Sequence, residues 1–402
     1  MPSSRGRYER HSVRESVHPS EDVHKVGHLG SWRVLSSADE PKMFDMSLRK
    51  ESPRGPIRTV SALLTAIPGF FGFIPERSLV LLALAPDART VQASVRLDLD
   101  LGADDTPARP MLNEVDNLAR ILRGYGSADL IAVINDDRFD LDSRTYTEIL
   151  SIVDRRMRLC GGIGRGYVCN RFAEGEHWMQ IWEHSTALTS RSSLQRGVLT
   201  DPRTSPTAVS DAVHSGRLLL ASRAEIASML APAPHCDDGS CHAGADAGSV
   251  DDEPPHELMA AIYEAVVMES DRFSCERVAE LERAICDVRV RDAALGFAVT
   301  DLRAGAEVLW RELTRRLTGT GRASAATLLA HLHYIAGEGS FAGVALDVAR
   351  EADRTWKLAQ LLDHSLRNGL RPDNLWHLIG DSYDAAAQLG VTLPGATLRD
   401  AS

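Results

Sequence analysis

Along this chain the spacing of apolar positions changes from segment to segment, and each change predicts a new element. Ala62-Leu-Leu-Thr-Ala-Ile-Pro68 reads as a short apolar helix that stops at Pro68, with a glycine- and proline-punctuated turn over 69–75. Residues 78–85 form an unbroken apolar run, as expected of a strand covered on both faces. Residues 90–98 alternate instead. Val91, Ala93, Val95, Leu97 and Leu99 share one face, and Arg96 and Asp98 the other. Leu112, Val115, Leu118, Ala119 and Leu122 recur at helical spacing, and Gly124 and Gly126 close that helix. Residues 128–134 predict a second buried strand, and Tyr146, Ile149, Leu150, Val153 and Met157 a second amphipathic helix. Strand and helix in alternation predict an α/β domain over 58–231 with a mainly parallel sheet.

Past Gly161 the periods shorten. Residues 167–172 and 177–182 predict two strands joined at Glu174-Gly175. Ser205-Pro206 starts a helix that Gly216 ends, and Ser222 caps a short helix over 223–230. Residues 232–254 read as an acidic Gly/Pro/Asp linker. An all-α helical-hairpin domain follows over 255–387. In it, Leu328, Leu329, Leu332 and Ile335 stripe one helix, Gly337 turns the chain, and Val344, Ala345 and Val348 stripe the next. Residues 1–57 show no consistent period and are expected to be a disordered tail, and 388–402 a frayed end.

At 402 residues the chain can hold two ordinary cores. A net charge of -11 and 5% aromatics argue against nucleic acid as a partner. The longest uncharged run, 59–75, is shorter than the ~20 residues that span a bilayer, so no membrane association is expected. Six scattered cysteines and no apolar leader suit a soluble, cytoplasmic protein.

The 62–84 block, the 128–136 strand, Asp201-Pro-Arg-Thr-Ser-Pro206, Gly216-Arg-Leu-Leu-Leu-Ala-Ser-Arg-Ala-Glu225 and Val288-Arg-Val-Arg-Asp-Ala-Ala-Leu295 together resemble an uncharacterised actinobacterial family, the domain of unknown function DUF4192, over roughly residues 58–380. The resemblance implies a cytoplasmic protein and no particular activity. Family members often carry a close pair of cysteines before the Asp201 segment, whereas residues 181–200 here contain none. The hairpin over 326–351 is also similar to one tetratricopeptide unit, with Arg354 where the closing proline usually stands.

Four segments could carry chemistry. His235-Cys236-Asp-Asp-Gly-Ser-Cys241-His242 places four zinc-ligand side chains in eight positions, but a second, distant ligand pair is missing. A metal site at His235, Cys236, Cys241 and His242, reversible oxidation of Cys236 with Cys241, and a plain linker are the three readings. Gly161-Gly-Ile-Gly-Arg-Gly166 could cradle a phosphate, but it follows a helix instead of a strand, and helix termination accounts for it. Asp136 and Asp137 follow a buried strand, where open α/β sheets bind ligands, or they form its exit turn. Arg203, ahead of a helix N-terminus, could hold an anion.

With no Walker, serine-elbow or His-Glu-x-x-His pattern, the expected function is a non-enzymatic interaction or scaffold module that meets a protein partner through its helical domain. The alternative is an enzyme or small-ligand sensor in which Arg96, Asp98, Asp136, Asp137 and Arg203 converge. No cofactor is expected.

Overall fold

Connection lengths decide how the strands pair. The link between β2 (Ser78–Leu84) and β3 (Val91–Asp98) spans only residues 85–90 and closes with Ala85 N–H donating to the Thr90 carbonyl at 2.8 Å. That is room for a hairpin and not for a crossover, so the two strands are antiparallel. Helix α2 (Arg109–Tyr125) then carries the chain over β2 to β4 (Asp129–Asn135), which is antiparallel to β2. Helix α3 (Arg144–Met157) leads to β5 (Arg165–Cys169), parallel to β4. Strands β6 (His177–Glu183) and β7 (Arg196–Val198) add antiparallel neighbours at one edge, and β1 (Phe44–Ser47) pairs with β3 at the other. The sheet is seven-stranded in the order β1-β3-β2-β4-β5-β6-β7. It is mixed and mostly antiparallel. Among the described strands only β4 and β5 run parallel, which corrects the expected mainly parallel sheet.

The computed structural model describes residues 44–47, 59–86, 90–126, 129–184, 195–238, 241, 253–268 and 272–398. Strand β1 falls inside the segment expected to lack structure.

Two-sided cover explains the apolar runs of β2 and β4. On one face Leu79, Leu81, Val95, Leu97, Ala132 and Ile134 pack with Val115, Leu118 and Leu122 of α2 and Ile149, Leu150 and Val153 of α3. On the other, Val80, Leu82, Ile131, Val133, Tyr167 and Trp178 belong to a core that continues into the helices near the C-terminus. A register shift between Ala83 and Leu84 puts Val91 on this second face, apart from Ala93 and Val95, which the plain alternation grouped with it.

Helix α1 (Val60–Phe71) runs through Pro68 and ends at Gly72, whose φ of 79° is a left-handed cap, so the helix does not stop at Pro68 as predicted. Gly69 lets it approach α4 (Pro206–Ser215): a Cβ there would lie 2.2 Å from Thr207 Oγ1. The caps of α4 are those expected, Ser205 Oγ accepting from Ala208 N–H and Gly216 at φ 68°. Helix α5 (Arg223–Ser228) follows.

The remainder is helical: α6 (Pro255–Met268), α7 (Cys275–Cys286), α8 (Val288–Ala294), α9 (Arg303–Arg316), α10 (Gly319–Ile335), α11 (Gly339–Ala352), α12 (Lys357–Arg367) and α13 (Trp376–Gln388). Helices α10 and α11 form the expected hairpin about Gly337, and α10 is buried on nearly every side. The C-terminal segment expected to fray is held as far as Leu398: Thr397 and Leu398 N–H both donate to the Val299 carbonyl, at 2.7 and 3.1 Å. No helix among the described residues is long and apolar enough to cross a membrane.

Candidate metal centre

The strand register brings several of the predicted polar residues to one end of the sheet. Ser78 pairs with Asp98 on one side and with Asn135 on the other, so Arg96, Asp98, Asp136 and Asp137 gather there. Their charges are already matched. Arg96 is buried over the Phe73 ring, donates to Ser78 Oγ at 2.8 Å and pairs with Asp98. Asp136 is wholly buried. One carboxylate oxygen accepts from Arg138 Nε at 2.8 Å and the other from the Tyr146 hydroxyl at 3.1 Å. That hydroxyl is itself driven upward in pKa by burial and by the Asp136 charge. Asp137 sits between Arg77 and Arg171, at 3.3 and 3.4 Å, and the Arg77 hydrogen bond holds its carboxyl below the usual range.

Arg203 lies on an exposed turn before α4, where its N–H donates to Asp201 Oδ1 at 2.9 Å. No hydrogen bond or ion pair ties it to the sheet end among the described residues. The glycine loop after α3 ends that helix: Gly161 and Gly162 have φ of 100° and 80°, and Asp154 Oδ1 takes the Ile163 N–H at 2.8 Å.

The linker cluster behaves differently. Residues 231–238 do not hang free of the bundle; backbone and side-chain bonds fasten them to it. Ala233 N–H donates to the Arg315 carbonyl at 2.8 Å. Asp237 exchanges two bonds with Phe273: its N–H donates to the Phe273 carbonyl and its carboxylate accepts from the Phe273 N–H, both at 2.8 Å. Asp238 Oδ2 accepts from the backbone N–H of Cys275 at 2.7 Å. Arg316 of α9 lies over the Phe273 ring and donates to Asp237 Oδ1 at 3.1 Å. The Phe273 N–H and Arg316 together hold the Asp237 carboxyl below its usual range. The two acidic residues beside Cys236 thus sew the segment to the start of α7. Ser274 caps that helix through the Arg277 N–H.

This stitching draws in a ligand that lies 34 positions beyond Cys241. One ligand atom each from His235, Cys236, Cys241 and Cys275 lies within 4.8 Å of all the others. The Cys241 and Cys275 sulfurs are 3.9 Å apart, and His235 Nδ1 is 3.5 and 3.6 Å from them. A tetrahedral zinc with ordinary bond lengths sets sulfur–sulfur edges of about 3.8 Å and sulfur–nitrogen edges of about 3.6 Å. The three edges among His235, Cys241 and Cys275 match these values, and the Cys236 sulfur lies within 4.8 Å of each of those atoms. A set this tight has room for one ion, and three sulfurs with one imidazole would favour a tetrahedral metal of the zinc type. Cys236 forms the buried floor, where burial first, and then the two neighbouring thiols, push its pKa up to about 11. A divalent cation at the centre would supply the positive charge that such a group of sulfurs needs to lose its protons.

Of the four predicted ligands, His235, Cys236 and Cys241 are brought together, while His242 lies outside the described residues. Cys275 takes the remaining place, and spacing alone did not reveal it. The available signal was a cysteine directly after a helix-capping serine, downstream of a ligand cluster that lacked a distant partner.

The chain matches no curated protein and no solved structure. A family model does match it, over residues 61–373, and on that match the chain belongs to the family of the domain of unknown function DUF4192.

Proposed function

We propose that this chain is a metal-binding, non-enzymatic scaffold protein that carries one structural zinc ion on His235, Cys236, Cys241 and Cys275. The reading rests on the four convergent ligand atoms and on the tetrahedral lengths of the three edges among His235, Cys241 and Cys275. Four protein ligands close the coordination sphere. A catalytic zinc keeps a position open for water or substrate, and this arrangement leaves none. The ion's role would be mechanical. It would join the segment after α5 to α7 and add its binding free energy to the fold.

The alternative, a reactive or ligand-sensing site at Asp136, has less support, because both Asp136 oxygens and the Asp137 carboxylate already accept from neighbouring groups. A protein partner on the helical part is the second reading. It is favoured by Met268 and Val267 at the end of α6, which are 68% and 48% exposed. A Met268→Asp substitution should then reduce recovery of any partner that co-purifies.

Replacement of the bound metal by Co2+ in the full chain tests the first reading. A tetrahedral site with three thiolates should give intense visible d–d bands and a sulfur-to-cobalt charge-transfer band. A weak octahedral spectrum without charge transfer would refute it.

A further inference from the structure

The sulfurs of the cluster differ in how far a solute can reach them. Cys236 is buried, Cys275 is half-buried and Cys241 is exposed. The two accessible sulfurs are 3.9 Å apart. Chemistry that begins at the surface therefore starts at Cys241 and finds Cys275 as its neighbour.

We propose that Cys241 and Cys275 are a modification site: a hydroperoxide converts them to a disulfide, and the bound metal is expelled. The proposal rests on the metal reading above and adds a reaction to it.

The Cys241 thiolate attacks one oxygen of hydrogen peroxide, forming an S–O bond, breaking the O–O bond and releasing hydroxide. The Cys275 thiolate then attacks the Cys241 sulfur, forming the S–S bond and expelling hydroxide from the S–O bond. Two solvent protons convert the two hydroxides to water. The pair of thiolates loses two electrons, the peroxide gains them, and the metal keeps its charge.

Closing the sulfur pair from 3.9 Å to about 2.05 Å is a side-chain movement of a size that a disulfide permits. His235 and Cys236 then remain as two ligands, too few for a structural zinc. The new bond still joins Cys241 to the start of α7, so it replaces the metal as a cross-link between the same two segments. Metal loss should therefore occur without global unfolding. The reading from sequence paired Cys236 with Cys241; the burial of Cys236 moves the expected pair to Cys241 and Cys275.

The test uses the full-length protein as purified. Zinc content is measured first, hydrogen peroxide is added, release is followed with a chromogenic chelator, and disulfides are mapped by non-reducing peptide mass spectrometry. The expected result is one zinc released per Cys241–Cys275 disulfide, with zinc rebinding after a thiol reductant. A Cys160→Ser/Cys286→Ser variant should release at the native rate. A disulfide to Cys236, sulfinic acid in place of a disulfide, or release slowed more than tenfold in that variant would each overturn the proposal. Protein that purifies without zinc and takes up none when zinc is supplied would refute the metal reading, whatever disulfide it forms. Zinc-loaded protein that keeps its metal under peroxide would refute the reaction alone.

Discussion

His331 stands in the middle of α10 with no exposure and, among the described residues, with no hydrogen-bond partner for either ring nitrogen. Burial lowers its pKa from 6.5 to about 4. Between those values the unfolded chain holds a proton that the folded chain does not. Stability is therefore full above pH 6.5 and falls on acidification by about 1.4 kcal/mol per pH unit, about 3 kcal/mol by pH 4. A His331→Leu substitution should remove that slope and raise stability at pH 7 by about 1 kcal/mol, since two desolvated polar atoms disappear. Urea midpoints at pH 7 and pH 5 check this. A variant that unfolds more easily at pH 7 would mean that the imidazole is held by an interaction. Asp136 shows the opposite arrangement, in which a wholly buried carboxylate has both oxygens satisfied, so its role follows from its partners more than from its position at a strand end.

Among the elements, two junctions carry the most specific packing. At the first, α1 meets α4 through Gly69 and Thr207. A Gly69→Ala change places its methyl against Thr207 and should cost about 1–3 kcal/mol in a thermal or urea melt. At the second, Glu338 before α11 accepts from Arg217 and Arg303 and pairs with His333 at 2.7 Å, while Arg217 also donates to Glu307 at 2.8 Å. Burial alone would raise the Glu338 carboxyl, but the His333 bond and the two guanidinium charges hold it far below its usual range. This network contributes stability above about pH 4.5 and loses it as the pH falls through the lower folded value, a window below that of His331. A Glu338→Gln variant leaves half-buried cations short of a charged partner and should lose about 2 kcal/mol at pH 7. It should also show a flatter acid limb when unfolding is followed by circular dichroism. The ends of α4 were legible in the sequence because capping is local: Ser205-Pro206 and Gly216 are sufficient to set them. The end of α1 was not, because burial of its far turn among Leu64, Phe70 and Phe71 outweighs the helix-breaking tendency of Pro68.

For the molecule as a whole, the same contrast between local and distant information applies. The runs in β2 and β4 correctly indicate strands buried on both faces. The direction of β4 against β2 was not legible, because it depends on which strands meet, whereas that of β3 was, since the short 85–90 link allows β2 and β3 only a hairpin. Likewise, 235–241 announces one imidazole and two thiols as candidate ligands, but the fourth, Cys275, joins them only because Asp237 and Asp238 fasten the segment to α7. Cys275 is therefore the decisive residue of the proposed site. Zinc content of the full-length native protein and of Cys275→Ser, both purified without chelator, tests it most directly. The prediction is about one zinc per native chain and loss of most of it in the variant. Equal zinc in the two proteins, or none in the native chain, would contradict it.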